Sequence, residues 1–240
     1  MNRRQWTRAA LSLPILITIG ACMTQTSDLP RVRVGIGMSI DELKAGSTYP
    51  FATVPSITIG GDFQAFQITT PYNLVFVDAA GELKLDNLGG LRELTSISVD
   101  EGRVTSMSIT VQTGRTNLHQ AMDQARALHR WFTEHGYEKA SRGPDFAVAA
   151  RNSKHAIAPI TSFEQAEAAF LDPQIKLSEM GLFGLRKGDI NVGVSLANGR
   201  RMLARHGQEH DDESNAKEEK RYGLDMFIAE TVKPYKPAGK

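Results

Sequence analysis

Apolar residues recur at two different spacings along this chain. Between residues 53 and 112 they alternate with polar ones: Ile97 and Val99 with Ser96 and Ser98, and Met107, Ile109 and Val111 with serine and threonine. A period of two puts one row of side chains in a core and the other in water, as in an antiparallel sheet. Segments 53–59, 63–69, 73–78, 94–100 and 104–112 are rich in branched and aromatic residues, with Gly, Pro and Asn between them, and are predicted strands. Asp100-Glu101-Gly102 is a predicted hairpin turn, with Gly102 free to take positive φ. From Leu118 the period changes. Leu118, Ala121, Met122, Ala125, Leu128 and Phe132 recur at three and four, one apolar stripe on a helix predicted over 116–135. Thr116 or Asn117 caps its start and Gly136 stops it.

Two shorter helices announce themselves by their caps. Ser39 and Glu42 form a capping box ahead of Leu43, predicting a helix over 39–46, and Ser162 with Gln165 opens another over 162–171. Strands over 190–197 and 223–232 are expected to pair. Between them, residues 198–221 are very polar and far longer than a usual hairpin turn of about 2–5 residues. The expected fold is α+β: an antiparallel sheet packed against the one long helix, with the two short capped helices beside it. The expected divisions are a mostly β half over 37–113, a helix-plus-hairpin half over 114–233, and a disordered tail over 234–240.

The N-terminus has a different grammar. Arg3, Arg4 and Arg8 precede an apolar run from Ala9 to Ile19, and small residues lead to Cys22. That order is the secretory signal pattern, and the run is shorter than the ~20 residues a spanning helix needs. Ile19-Gly20-Ala21-Cys22 resembles the bacterial lipoprotein consensus of a branched residue, two small ones and cysteine. The resemblance implies removal of residues 1–21 and a lipid on Cys22, followed by a flexible tether over 22–36. Several acyl chains, each methylene supplying about 0.8 kcal/mol, then hold the chain to a membrane. Met23, where an aspartate commonly signals inner-membrane retention, implies the outer membrane, facing the periplasm.

Composition narrows the chemistry. The formal net charge of +1 turns slightly negative once the three N-terminal arginines go, so no basic face for nucleic acid is expected. Cys22 is the single cysteine, which leaves no disulfide to hold the fold. No Gly-x-Ser-x-Gly elbow and no recognisably spaced carboxylate pair are present, so enzymatic chemistry is not expected. His206 and His210 are four apart, but Gly207 and a polar setting argue for a solvated loop rather than a metal site, and neither metal nor cofactor is expected. His119 and His129 read as solvent-facing or satisfied histidines of the long helix. Two features suggest partner contact. Trp131 lies beside the helix stripe as a candidate anchor. Glu209, Asp211, Asp212 and Glu213 form an acidic tip between basic flanks (Arg200, Arg201 and Arg205; Lys217, Lys220 and Arg221), a pattern that can steer a partner.

Gly37-Met38-Ser39-Ile40-Asp41-Glu42-Leu43 resembles the helix start of the SmpA/BamE-like outer-membrane lipoproteins, and Leu74–Asp78 followed by Gly81-Glu82-Leu83 resembles their strand-turn-glycine-strand pattern. The likeness covers residues 37–112. It implies a non-enzymatic accessory that helps assemble or stabilise envelope proteins. An immunity lipoprotein neutralising a toxic effector delivered to the periplasm is an alternative expectation, and a ligand-binding or enzymatic envelope lipoprotein is another.

Overall fold

The computed structural model describes residues 29–54, 56–58, 64–88, 95–111, 115–140, 147–148, 159–175, 177–199, 217 and 219–231. In chain order its elements are β1 (Arg31–Val34), α1 (Ile40–Gly46), β2 (Ser56–Thr58), β3 (Gln64–Ile68), β4 (Tyr72–Asp78), β5 (Gly81–Leu88), β6 (Thr95–Asp100) and β7 (Arg103–Thr110). Then follow α2 (Leu118–Glu134), β8 (Glu138–Lys139), β9 (Ala147–Val148), α3 (Phe163–Leu171), β10 (Glu179–Lys187), β11 (Ile190–Asn198) and β12 (Tyr222–Glu230).

The strands form two sheets. A small one runs β1-β4-β5, and a nine-stranded one runs β2-β3-β6-β7-β12-β11-β10-β8, with β9 also on β10. The α+β expectation, with one long helix as the layer against an antiparallel sheet, is therefore corrected: the described residues are mostly β, in two sheets, with three short helices among them. Several strands have weak local signatures. β1 alternates valine with arginine inside the stretch expected to be a flexible tether, and β5 (GELKLDNL) mixes charged residues with its leucines, its start matching the Gly81-Glu82-Leu83 of the strand-turn-glycine-strand pattern. β10 carries two glycines, which lower strand propensity. Nor is the small sheet purely antiparallel, since β1 runs parallel to β4. The two stretches on either side of residue 113 share the large sheet, because β12 pairs with β7, with Asp225 opposite Thr110.

Edge protection explains why so short a strand as β1 persists. On its open side the Arg31 amide donates to Thr48 Oγ1 at 2.7 Å and the Arg33 amide to Ser47 Oγ at 2.9 Å, so these backbone donors are satisfied without a further strand. Both hydroxyls follow α1, whose start is fixed by the capping box. Ser39 Oγ accepts from the Glu42 amide, and Glu42 Oε2 accepts from the Ser39 amide at 2.8 Å. The Ser39 amide and hydroxyl both donate to the ionised Glu42 carboxylate and hold it below its usual range.

One core serves both sheets. Val32, Leu74 and Phe76 from the small sheet, Ile97, Met107, Val192, Leu196, Met226 and Ile228 from the large one, and the stripe of α2 all lie in a single buried cluster. Burial alternates along the long strands. In β12, Leu224, Met226 and Ile228 are buried, while Asp225 and Phe227 point the other way. The nine-stranded sheet therefore has one face in the core and one open face.

Candidate functional site

The open face is built almost entirely from short side chains. Register places Gln67, Ser96, Ser108, Phe227, Gly193 and Gly184 in one row across six strands. The next row reads Ser98, Ser106, Ala229, Asn191 and Arg186, and the row on the other side reads Thr110, Asp225, Ser195 and Gly181. Phe227 is flanked by serine and glycine, so its ring has nothing tall to lean on. It is 51% exposed, the one large hydrophobic side chain so exposed among the described residues. Beside it lies a depression of about 450 Å³, whose floor includes Gly181 and Gly193 and whose rim includes Ser108, Ser195, Asp225 and Glu179. Thr110 Oγ1 donates to Asp225 Oδ1 at 2.8 Å, which fixes that carboxylate on the face. The arrangement offers a stacking surface, hydroxyls and two carboxylates on a rigid sheet.

A second polar cluster joins the two sheets. Lys187, at the end of β10, donates from Nζ to Asp78 Oδ2 at 2.7 Å, at the end of β4. The ammonium also lies 5.3 Å from the centroid of the Tyr137 ring. Asp78 borders an open groove of about 670 Å³ between α1 and the ends of β1 and β4. Burial raises the Tyr137 hydroxyl above its ordinary range, and the nearby Asp78 carboxylate adds to the rise. Tyr72 is raised too, by burial first, against its hydrogen bond to Thr95 at 2.5 Å. Both phenols are held neutral in the native state, so their contribution is complete below the ordinary value of about 10 and is lost as pH climbs above it. Stability should fall by about 1 kcal/mol per pH unit per phenol above pH ~10. Tyr137→Phe should flatten that decline in urea midpoints taken from pH 9 to 11, and an unchanged slope would remove Tyr137 from the account.

The residues singled out in the sequence fare differently. Trp131, the candidate anchor, is half-buried. Its ring stacks on His135 at 3.9 Å and 17°, and it meets Phe132 edge-on at 5.0 Å. The i+4 spacing of Trp131 and His135, the residue that caps α2, brings these two rings together, and the Trp131 carbonyl lies 2.7 Å from His135 Nδ1. His119 is exposed beside Asp123 and Glu167, and His129 packs edge-on against Phe163 and Phe183. Cys22, the acidic tip Glu209, Asp211, Asp212 and Glu213, and the pair His206 and His210 lie outside the described residues. Arg221, read as a solvated flank of that tip, is instead 1% exposed, with Nη2 donating to Glu219 Oε2 at 2.6 Å. Among the described residues there is no group of three or more metal-ligating side chains.

Sequence reading did not single out Phe227, Asp225 or Glu179. One signal was present. In Leu224-Asp225-Met226-Phe227-Ile228 the inward period takes Leu224, Met226 and Ile228, so Phe227 is an aromatic residue in an outward slot. Comparison of the chain with protein families, with curated proteins and with solved structures finds no match.

Proposed function

We propose that this protein is a non-enzymatic, lipid-anchored envelope protein that acts by protein–protein contact, as an accessory in the assembly or stabilisation of other envelope proteins. The observation that carries the reading is the open face of the nine-stranded sheet, with Phe227 standing at its centre. A broad sheet face with mostly short side chains around one exposed aromatic suits docking, because aromatic anchors dominate interface energetics and short neighbours let a partner approach closely. The Ile19–Cys22 lipobox supplies the anchor, and the likeness of residues 37–112 to the SmpA/BamE-like lipoproteins supports an accessory role.

Two variants test the two parts. Cys22→Ser should leave unprocessed precursor or release the domain to the soluble fraction; normal maturation and membrane fractionation of that variant would refute the anchor. A photo-crosslinking amino acid at position 227 should join the chain to an envelope protein in intact cells. The same probe at exposed Gln124 on α2 should not. Equal crosslinking from both positions, or none from 227, would refute the contact face.

A further inference from the structure

We propose that the depression beside Phe227 receives a positively charged side chain, arginine or lysine, presented on an exposed segment of a protein partner. The proposal rests on the contact reading above and gives that contact its chemistry.

Three features converge there. The first is the ring. Phe227 is half exposed and offers a π face to a cation. The second is charge. Asp225 and Glu179 point to the same side of the sheet and border the same depression, and none of its described lining residues is a cation. Arg115 lies near one end, over Gly199 and Gly223, where its Nη1 donates to the Arg221 carbonyl at 3.1 Å. Asp225 accepts one bond from Thr110, and a carboxylate has room for several more. The third is the floor. A Cβ built on Gly193 would meet nothing within 4 Å, so internal packing does not demand a glycine in the middle of β11. A branched residue would suit the strand better, and a bare position there lets another chain approach closely.

Together these features discriminate between occupants. An acidic segment would be repelled by the two carboxylates, and an apolar one would desolvate them without compensation. A sugar would find the ring and the hydroxyls but would gain nothing from the negative charge. A guanidinium or ammonium group uses all of it. It can lie over the ring and form charge-assisted bonds to the carboxylates.

The experiment uses the full chain in detergent and four probes. These are a blocked peptide of alternating arginine and threonine, its lysine counterpart, its citrulline counterpart, which is neutral and nearly isosteric with arginine, and a β1,4-linked N-acetylglucosamine tetramer. Titration calorimetry should show the arginine and lysine peptides binding, and the citrulline peptide about tenfold weaker or worse. Asp225→Asn and Glu179→Gln should each weaken the arginine peptide several-fold and flatten its dependence on salt. Gly193→Val should weaken it while leaving the thermal midpoint unchanged or raised, which a merely structural role would not do. Equal binding of arginine and citrulline peptides, absence of binding at millimolar peptide, or preference for the oligosaccharide would each overturn the proposal. The crosslink from position 227 separates this from the contact reading. If that crosslink forms in cells and survives Asp225→Asn with Glu179→Gln, the contact face stands and the cationic partner falls.

Discussion

Truncating Phe132 to alanine is expected to cost about 3–5 kcal/mol of stability, the range for emptying a buried phenylalanine site. Phe132 is fully buried. Its ring meets Phe76 of β4 at 6.3 Å, Tyr137 at 5.0 Å and Trp131 at 5.0 Å. These partners belong to the small sheet, to the segment entering β8, and to α2 itself. No single neighbour can move into the space without abandoning another contact, so the cavity should not collapse easily. Gln124→Ala, on the exposed side of the same helix, should change stability by no more than about 0.5 kcal/mol. Urea denaturation of both variants at neutral pH checks the pair. Similar losses for the two would mean that the apolar stripe is not the face that holds the fold.

What could be read in advance was whatever a few consecutive residues decide. The Ser39–Glu42 box closes within four residues, and its bonds are those the spacing implies. The turn between β6 and β7 is equally local. Glu101 at φ 49 and Gly102 at φ 74 are both left-handed, as a tight two-residue hairpin requires. The stripe from Leu118 to Phe132 is the buried face of α2. What was not legible depends on distant partners. β5 has Glu, Lys and Asp between its leucines because it is an edge strand, where charge blunts further pairing. Its start had a signal in Gly81-Glu82-Leu83, but its place at the edge of a second sheet had none. The nine-stranded sheet closes through β7 and β12, whose partners Thr110 and Asp225 are 115 residues apart, and no local pattern encodes that register. The candidate site suffers most from this. Ser108, Phe227 and Gly193 become neighbours only after β7, β12 and β11 align. Arg221 shows the converse, since a charge in a polar run looked solvated until its pairing with Glu219 and its burial were seen.

Replacing Lys187 with methionine is expected to cost about 3 kcal/mol or more of stability. The Asp78 side chain is only 4% exposed, against 29% for Lys187, so water can hydrate the lysine far better than the aspartate. Removing the ammonium therefore strands the more deeply buried partner, and the cost is that of an uncompensated carboxylate rather than of a lost surface pair. Methionine keeps the length and the apolar stem, so packing against the Tyr137 ring changes little and the charge is what the variant removes. The consequence is also architectural. Asp78 ends β4 in the small sheet and Lys187 ends β10 in the large one, so the pair fastens one sheet to the other at a point where no strand pairing does so. Local opening of the β4–β5 hairpin should accompany the loss, seen as faster amide exchange at Val75 and Val77 than at Met107 in the large sheet. The double variant Asp78→Leu with Lys187→Met removes both charges and should recover most of the stability, because a buried pair is worth little against an apolar pair of similar volume. A double-mutant cycle then yields a coupling of at least about 2 kcal/mol. If Lys187→Met costs less than about 1 kcal/mol, Asp78 is reached by water after all, and the junction between the sheets is held by Phe76, Phe132 and Tyr137 alone.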